Sequence, residues 1–186
     1  MSVTAAATPE EVLGFWFSAE SEPFWFRKDE AFDSRVRSAL LAPHLAAARG
    51  DLAPWGGDAE GALALALLLD QAPRNLFRGR ARAFATDAAA LAVARTALER
   101  GFDLALPVAR RPFLYLPFEH SEALEDQHLS VRLFRERIGE GEYLTYAIAH
   151  LEVIARFGRF PHRNAALGRT STAAEEAYLA EPGAGF

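Results

Sequence analysis

"GALALALLLDQ", residues 61–71, has no polar side chain before Asp70 and Gln71. Wound at about 100° per residue, its apolar side chains cover every side of a helix instead of one stripe. Such a helix belongs in the interior, so this segment predicts the buried central helix of an all-α fold, with Pro73 following its end. Outward from it the signals stay helical. "TPEEVLGFWFSA" places Thr8 as N-cap, Pro9 at the first helical position and Glu11 as the partner in a capping box. A second helix is expected from about Asp29 to Arg49, disturbed near Pro43 and closed by Gly50. Residues 86–100 form an amphipathic helix stopped by Gly101. The proline-containing stretch 107–117 breaks the pattern, and "ARRPFLYLPF" (109–118) is the nearest thing to a hinge. Two long helices follow, about 119–138 and 141–157, paired as a hairpin across "GEGE". Thr172 and Glu175 then stand in capping-box spacing. No strand-like alternation persists beyond a few residues. The expectation is one helical domain spanning 1–186, with an ordered core of about 8–181. The two "FWF" triplets, 15–17 and 24–26, are read as docking the N-terminal helix onto that core.

Bulk composition excludes several functions. The 186 residues are 51% hydrophobic, enough for one proper core. There is no cysteine, hence no disulfide, thiolate metal site or cysteine nucleophile. "MSVTAAATPEE" lacks the basic and apolar regions of a secretion signal, and no uncharged apolar run reaches the roughly 20 residues of a membrane span. A cytoplasmic location without a membrane partner is expected. A net charge of −5 argues against nucleic acid. Lys28 is the only lysine, so nearly all positive charge is arginine, the better group for two-point capture of carboxylate or phosphate.

Polar residues falling on apolar faces mark a candidate site. His150 lies inside the apolar arc of helix 141–157. On 119–138, His120 and Gln127 occupy the middle of the apolar face at i and i+7, with Glu122 and Asp126 on its shoulder. Buried imidazoles need partners, and a structural histidine bonded to a carbonyl is one answer. Asp70 and Gln71 end the central helix, where a carboxylate opposes the dipole unless Arg74 or Arg78 compensates. "FGRFPHRN" (157–164) explains Gly158 and Pro161 as a helix stop, but not Arg159, His162, Arg163 and Asn164 alternating with aromatics. Guanidiniums held against apolar surface can direct bonds to an anion, and an Arg–carboxylate network that is purely structural is the alternative. "RNLFRGR" (74–80) and "RNAALGR" (163–169) share R-N-x-x-x-G-R, a possible repeated turn between helices. No H-E-x-x-H, helical Glu-x-x-His, P-loop, dinucleotide fingerprint or nucleophile elbow occurs. His120, His150 and a carboxylate are geometrically open to a metal, but the spacings assign none, and no cofactor is implied.

"FWF", "LLLDQAPRNLFRG", "LPFEHSEALEDQ", "AHLEVIARFGRFPHRN" and "LGRTSTAAEEAYL" together resemble a bacterial family known as domain of unknown function 924, over about Val12 to Leu179. The resemblance implies a tetratricopeptide-like, right-handed array of antiparallel helix pairs and no established activity. The motif residues are Asp70, Gln71, Arg74, Asn75, His120, Ser121, Glu122, Asp126, Gln127, His150, Arg159, His162, Arg163, Asn164, Gly168 and Arg169. Ala72 stands where that family's pattern has a bulky aromatic. Three uses are open: a pocket for a small anionic ligand; an enzyme in which His120 or His150 moves a proton and Arg163 meets negative charge; or a protein-interaction module with a structural polar network.

Overall fold

The computed structural model describes residues 7–185; the first six residues and Phe186, with most of the N-terminal stretch read above for a secretion signal, lie outside the described residues. Among the described residues every regular element is helical. The elements are α1 Pro9–Trp16, α2 Glu30–Ala48, α3 Ala59–Ala66, α4 Ala72–Leu76, α5 Asp87–Glu99, α6 Phe102–Ala105, α7 Pro112–Glu119, α8 Leu124–Arg137, α9 Glu142–Phe157, α10 Asn164–Leu167 and α11 Ala173–Leu179. None of these helices is long and apolar enough to cross a membrane.

Helix α3 is the centre. It packs against α1, α5 and α7, and every residue from Gly61 to Ala66 is buried. Gly61 is there because Trp55 leaves no room: a Cβ would lie 2.0 Å from its carbonyl oxygen. Both capping boxes form as the sequence indicates, Thr8 with Glu11 and Thr172 with Glu175. Trp16 is fully buried, edge-on to Phe113, and its carbonyl accepts a 2.8 Å hydrogen bond from the Trp25 indole. The two "FWF" triplets thus fasten α1 to the core. Helix α2 runs through Pro43 to Ala48, and Gly50, at φ 82°, turns the chain away.

Three expectations need correction. The central helix does not end before Pro73. It passes through a π turn, Leu67–Gln71, straight into α4, with Pro73 in the first turn of α4. The Ala72 N–H reaches back five residues to the Leu67 carbonyl, which leaves the Leu68 carbonyl open; His44 Nδ1 donates to it at 2.8 Å. Pro73 has no N–H for the Leu69 carbonyl, and the Thr86 hydroxyl fills that place at 2.5 Å. Proline therefore continues the helix because side chains from elsewhere take the carbonyls it strands. Second, the supposed hinge is the buried helix α7, in which Pro112 through Glu119 are all buried. Third, His120 is not on α8. It caps the C-terminus of α7, its N–H bonded to the Leu116 carbonyl, and α8 starts only at Leu124. Helices α7, α8 and α9 pack mutually, α8 folding back onto α9 across residues 138–141.

Candidate functional site

The π turn, the end of α7, the middle of α9 and the loop after α9 converge. Asp70, fully buried on the π turn, accepts a 2.7 Å hydrogen bond from His120 Nδ1 and a 2.5 Å bond from Gln71 Nε2. Arg74 Nη2 stands 3.5 Å from the same carboxylate. Burial alone would raise the Asp70 pKa. The charges of His120 and Arg74, with the hydrogen bonds, outweigh it and hold Asp70 well below the usual carboxylate range. The His120 and His150 rings lie 6.1 Å apart, centre to centre. His150 donates from Nδ1 to the Tyr146 carbonyl at 2.8 Å, with Glu119 Oε1 3.3 Å from the same nitrogen. Burial, then the neighbouring His120, pushes His150 down to about 3, so its ring is neutral at physiological pH. Burial, reinforced by Asp70, pushes Glu119 up to about 8. Two carboxyls around one imidazole pair are thus driven in opposite directions, one ionised and one protonated near neutrality.

The loop supplies the cationic wall. Phe160 is its hub: His150 meets its edge, His162 lies 5.5 Å away and the Arg163 guanidinium stacks on its face at 4.4 Å. Glu122 and Arg169 clamp Phe160 on both backbone sides. Glu122 accepts the Phe160 N–H at 2.8 Å while Arg169 donates to the Phe160 carbonyl at 3.0 Å, and the two close a two-point ion pair. Arg163 lies between the Phe160 and Phe84 rings. Among the described residues its one hydrogen bond goes to Asp87 Oδ2 at 3.2 Å, and its Nε has none. Burial, and then Arg74, lower its pKa to about 10. Arg74 also reaches Asp87, with two nitrogens at 2.7 and 3.0 Å. The leading arginines of the two R-N-x-x-x-G-R stretches therefore meet on one carboxylate over one phenyl ring. Both motif glycines, Gly79 and Gly168, sit at positive φ. His162 is pushed down to about 4, by burial first and Arg163 second, and the Gly185 backbone lies close enough that a Cβ there would stand 3.0 Å from His162 Cβ.

Asp70, Arg74, His120, His150, His162 and Arg163 share this cluster, with Gln71 and Glu122 bracing it. Other expected members do not line it. Asn75 donates to Asp33 at 2.8 Å, beside Arg78, because α4 turns it to the opposite side from Asp70. Gln127 grips the Glu119 and Ser121 carbonyls, both at 2.6 Å, and Asp126 accepts from Ser121 and Arg95; both fix the turn that carries His120. Arg159 spends its guanidinium on Glu175 and the Thr170 carbonyl, and Asn164 donates to Ser171. Sequence reasoning missed Glu119, Asp87 and Phe84. Two surface cavities, of about 510 and 530 Å³, lie away from the histidines, one beside Pro54, Leu65 and Val93, the other beside Arg37, Arg78 and Arg82. Solvent reaches the cluster instead through the side chains of His120 and Arg74, which remain 16% and 21% exposed.

A family profile described as bacterial protein of unknown function (DUF924) matches residues 12–183, and the chain belongs to that family. A solved structure, the protein of unknown function ATU0120 from Agrobacterium tumefaciens, is 42% identical, with a TM-score of 0.88 over 92% of this chain and 96% of that one. No curated protein matches.

Proposed function

We propose that this member of the family binds a small anionic ligand, such as a phosphate or carboxylate, against Arg163, Arg74 and the His120–His150 pair. The observation that carries the reading is the contrast among the arginines of one loop. Arg159 and Arg169 each close a two-point pair with a carboxylate. Arg163, more deeply buried than either, makes a single 3.2 Å bond among the described residues and closes no two-point pair. A guanidinium offers five N–H donors, and a buried one left this open is expensive unless a ligand completes it. Arg159 and Arg169 belong to a structural network; the open donors belong to the ligand.

A catalytic use of the same site is favoured by the Asp70–His120 pair. A buried carboxylate on Nδ1 fixes the tautomer and leaves Nε2 as the basic nitrogen, the arrangement a general base requires. The helix order, with its α8–α9 hairpin, is read as a tetratricopeptide-like array; peptide binding is not carried over with it.

Thermal melting against a panel of phosphates and carboxylates tests the binding. A ligand at about 100 times its Kd adds about 2.7 kcal/mol. The expected result is a raised Tm with at least one anion, lost in Arg163→Gln. A flat response across the panel defeats the proposal. Where turnover of a bound anion is found, His120→Gln and His150→Gln variants of undiminished rate would remove both histidines from the chemistry.

A further inference from the structure

Several arginines outside the histidine cluster gather at a second place. A cavity of about 530 Å³ lies between the first half of α2 and the turn that follows α4, with Glu30, Asp33 and Arg37 on one side and Arg78, Arg80 and Arg82 on the other. Four arginines thus meet two acidic residues, in a chain whose net charge is −5.

The protein itself uses up only part of this positive charge. Asp33 is saturated: Arg78 donates to its two oxygens at 2.7 and 2.9 Å, and Asn75 adds a 2.8 Å bond. Arg37 Nη2 donates to the Leu76 carbonyl at 2.5 Å and so meets the C-terminus of α4, where a cation is favoured. Among the described residues the Arg37 side chain makes no other hydrogen bond, and those of Arg80 and Arg82 make no hydrogen bond or ion pair. Arg82 is nonetheless held in place, because its guanidinium lies over the Phe77 ring at 4.2 Å and keeps its N–H edges available. The two R-N-x-x-x-G-R stretches also end differently. Arg169 closes one of them on Glu122 and the Phe160 carbonyl. Arg80 closes the other, past Gly79 at φ 73°, and lines the cavity without such a partner.

Guanidiniums present paired donors that match phosphate oxygens, and several from separate segments can share one phosphate group. Like charges gathered at one hollow repel, and a bound anion removes that cost. The volume suits a small molecule, while the acidic chain as a whole disfavours a long polyanion such as nucleic acid. We propose that this cavity is a second anion site, which takes the phosphate group of a small phosphorylated molecule on Arg37, Arg80 and Arg82. It shares no residue with the Arg163 site and does not depend on it.

Inorganic pyrophosphate is the probe, titrated into the full-length chain by calorimetry and followed by histidine-selective NMR. His44 is the reporter. Its ring centre lies 5.5 Å from that of Phe77, the ring beneath Arg82. Burial, and then the Arg82 charge, hold the His44 pKa below its ordinary value. An anion on Arg82 offsets that charge, so pyrophosphate should shift the His44 resonances, raise the His44 pKa and leave the exposed His128 on α8 unmoved. Arg80→Gln combined with Arg82→Gln should weaken binding at this site about 10-fold or more and abolish the His44 shift. Both side chains are exposed, so the melting temperature without probe should stay close to wild type. Arg163→Gln should leave the His44 shift intact. If that variant fails to fold, the wild-type chain decides, since His120 reports the first site and His44 the second. A His44 signal unmoved across the titration, or a shift and affinity unchanged in the double arginine variant, overturns the proposal. A single-stranded oligonucleotide that shifts His44 at lower concentration than pyrophosphate overturns the small-molecule assignment.

Discussion

Replacing Asp70 by Asn tests the centre of the site while preserving its shape. One carboxylate oxygen accepts from His120 at 2.7 Å and more weakly from Arg74 at 3.5 Å, the other from Gln71 at 2.5 Å. An amide has only one oxygen, so its NH₂ must face either a ring N–H or the Gln71 NH₂, donor against donor. Arg74 is not stranded, because Asp87 holds it with two bonds. The loss therefore comprises one charge-assisted hydrogen bond, about 1.5–3 kcal/mol, plus the mismatch of a buried donor, about 1–3 kcal/mol, part of which relaxation recovers. A net loss of about 2–4 kcal/mol lowers Tm by roughly 5–15 °C for a domain of this size. The sign of the pH dependence follows from the lowered pKa of Asp70. Its stabilisation is complete above the ordinary carboxylate pKa and is lost as the pH falls through the folded value. Wild type and variant should thus differ most near about pH 7 and draw together in acid. Calorimetric melting along a pH series measures both effects. A double-mutant cycle with His120→Asn should show a coupling of at least about 1 kcal/mol. Equal melting at neutral pH, or a gap that does not close in acid, would refute an ionised Asp70 bound to His120.

His162→Asn should flatten part of the acid instability. The unfolded histidine takes a proton below its ordinary pKa of about 6.5, the folded one only near about 4, so wild type loses up to about 3 kcal/mol across that window and the variant does not; urea melts from neutral pH downward measure the slope. Gly61→Ala should cost more than about 3 kcal/mol despite alanine's better helix propensity, because the added carbon lies 2.0 Å from the Trp55 carbonyl; a chemical denaturation midpoint equal to wild type would show that the α3 start can shift. Arg159→Ala should fray α11 by releasing Glu175, with faster amide exchange over 173–179 and unchanged phosphate response, which separates the structural arginine from Arg163.

What was legible in the sequence was what acts locally. Thr8 with Glu11 and Thr172 with Glu175 close on themselves within one turn, and an all-apolar run such as 61–69 has nowhere to go but inward. His150 was legible because it sits in a long, regular helix whose faces can be counted. His120 was assigned to the right interior from the wrong helix: the chain turns at Ser121–Ala123, held by Gln127, and no periodicity announces that turn. Proline misled twice. Pro73 and Pro117 lie inside continuous helical structure, and at Pro73 the stranded carbonyl is taken by Thr86, 17 residues away in sequence. Asp87 reads as an ordinary acidic residue in a helix's first turn, and its role needs both Arg74 and Arg163, the latter 76 residues distant.

The π turn explains why a charged site can exist in this core at all. In an unbroken α-helix the Leu68 and Leu69 carbonyls would be satisfied within the helix, and the segment would be inert apolar packing. The widened turn and Pro73 together export those two carbonyls, to His44 and Thr86, and anchor α2 and the start of α5 beside Asp70. Thr86 precedes Asp87, so the residue that replaces the missing proline N–H also delivers the carboxylate on which Arg74 and Arg163 meet. Asp70, no longer at a helix end but within a helix that bends around it, gains His120 from α7 as its principal partner. Irregular helical turns of this kind recur at functional sites, since a stability-driven core has no use for the exported bonds. The local cost of the π turn and the open donors of Arg163 therefore lie on the same side of the molecule's energetics, and the proposed anion binding would offset both.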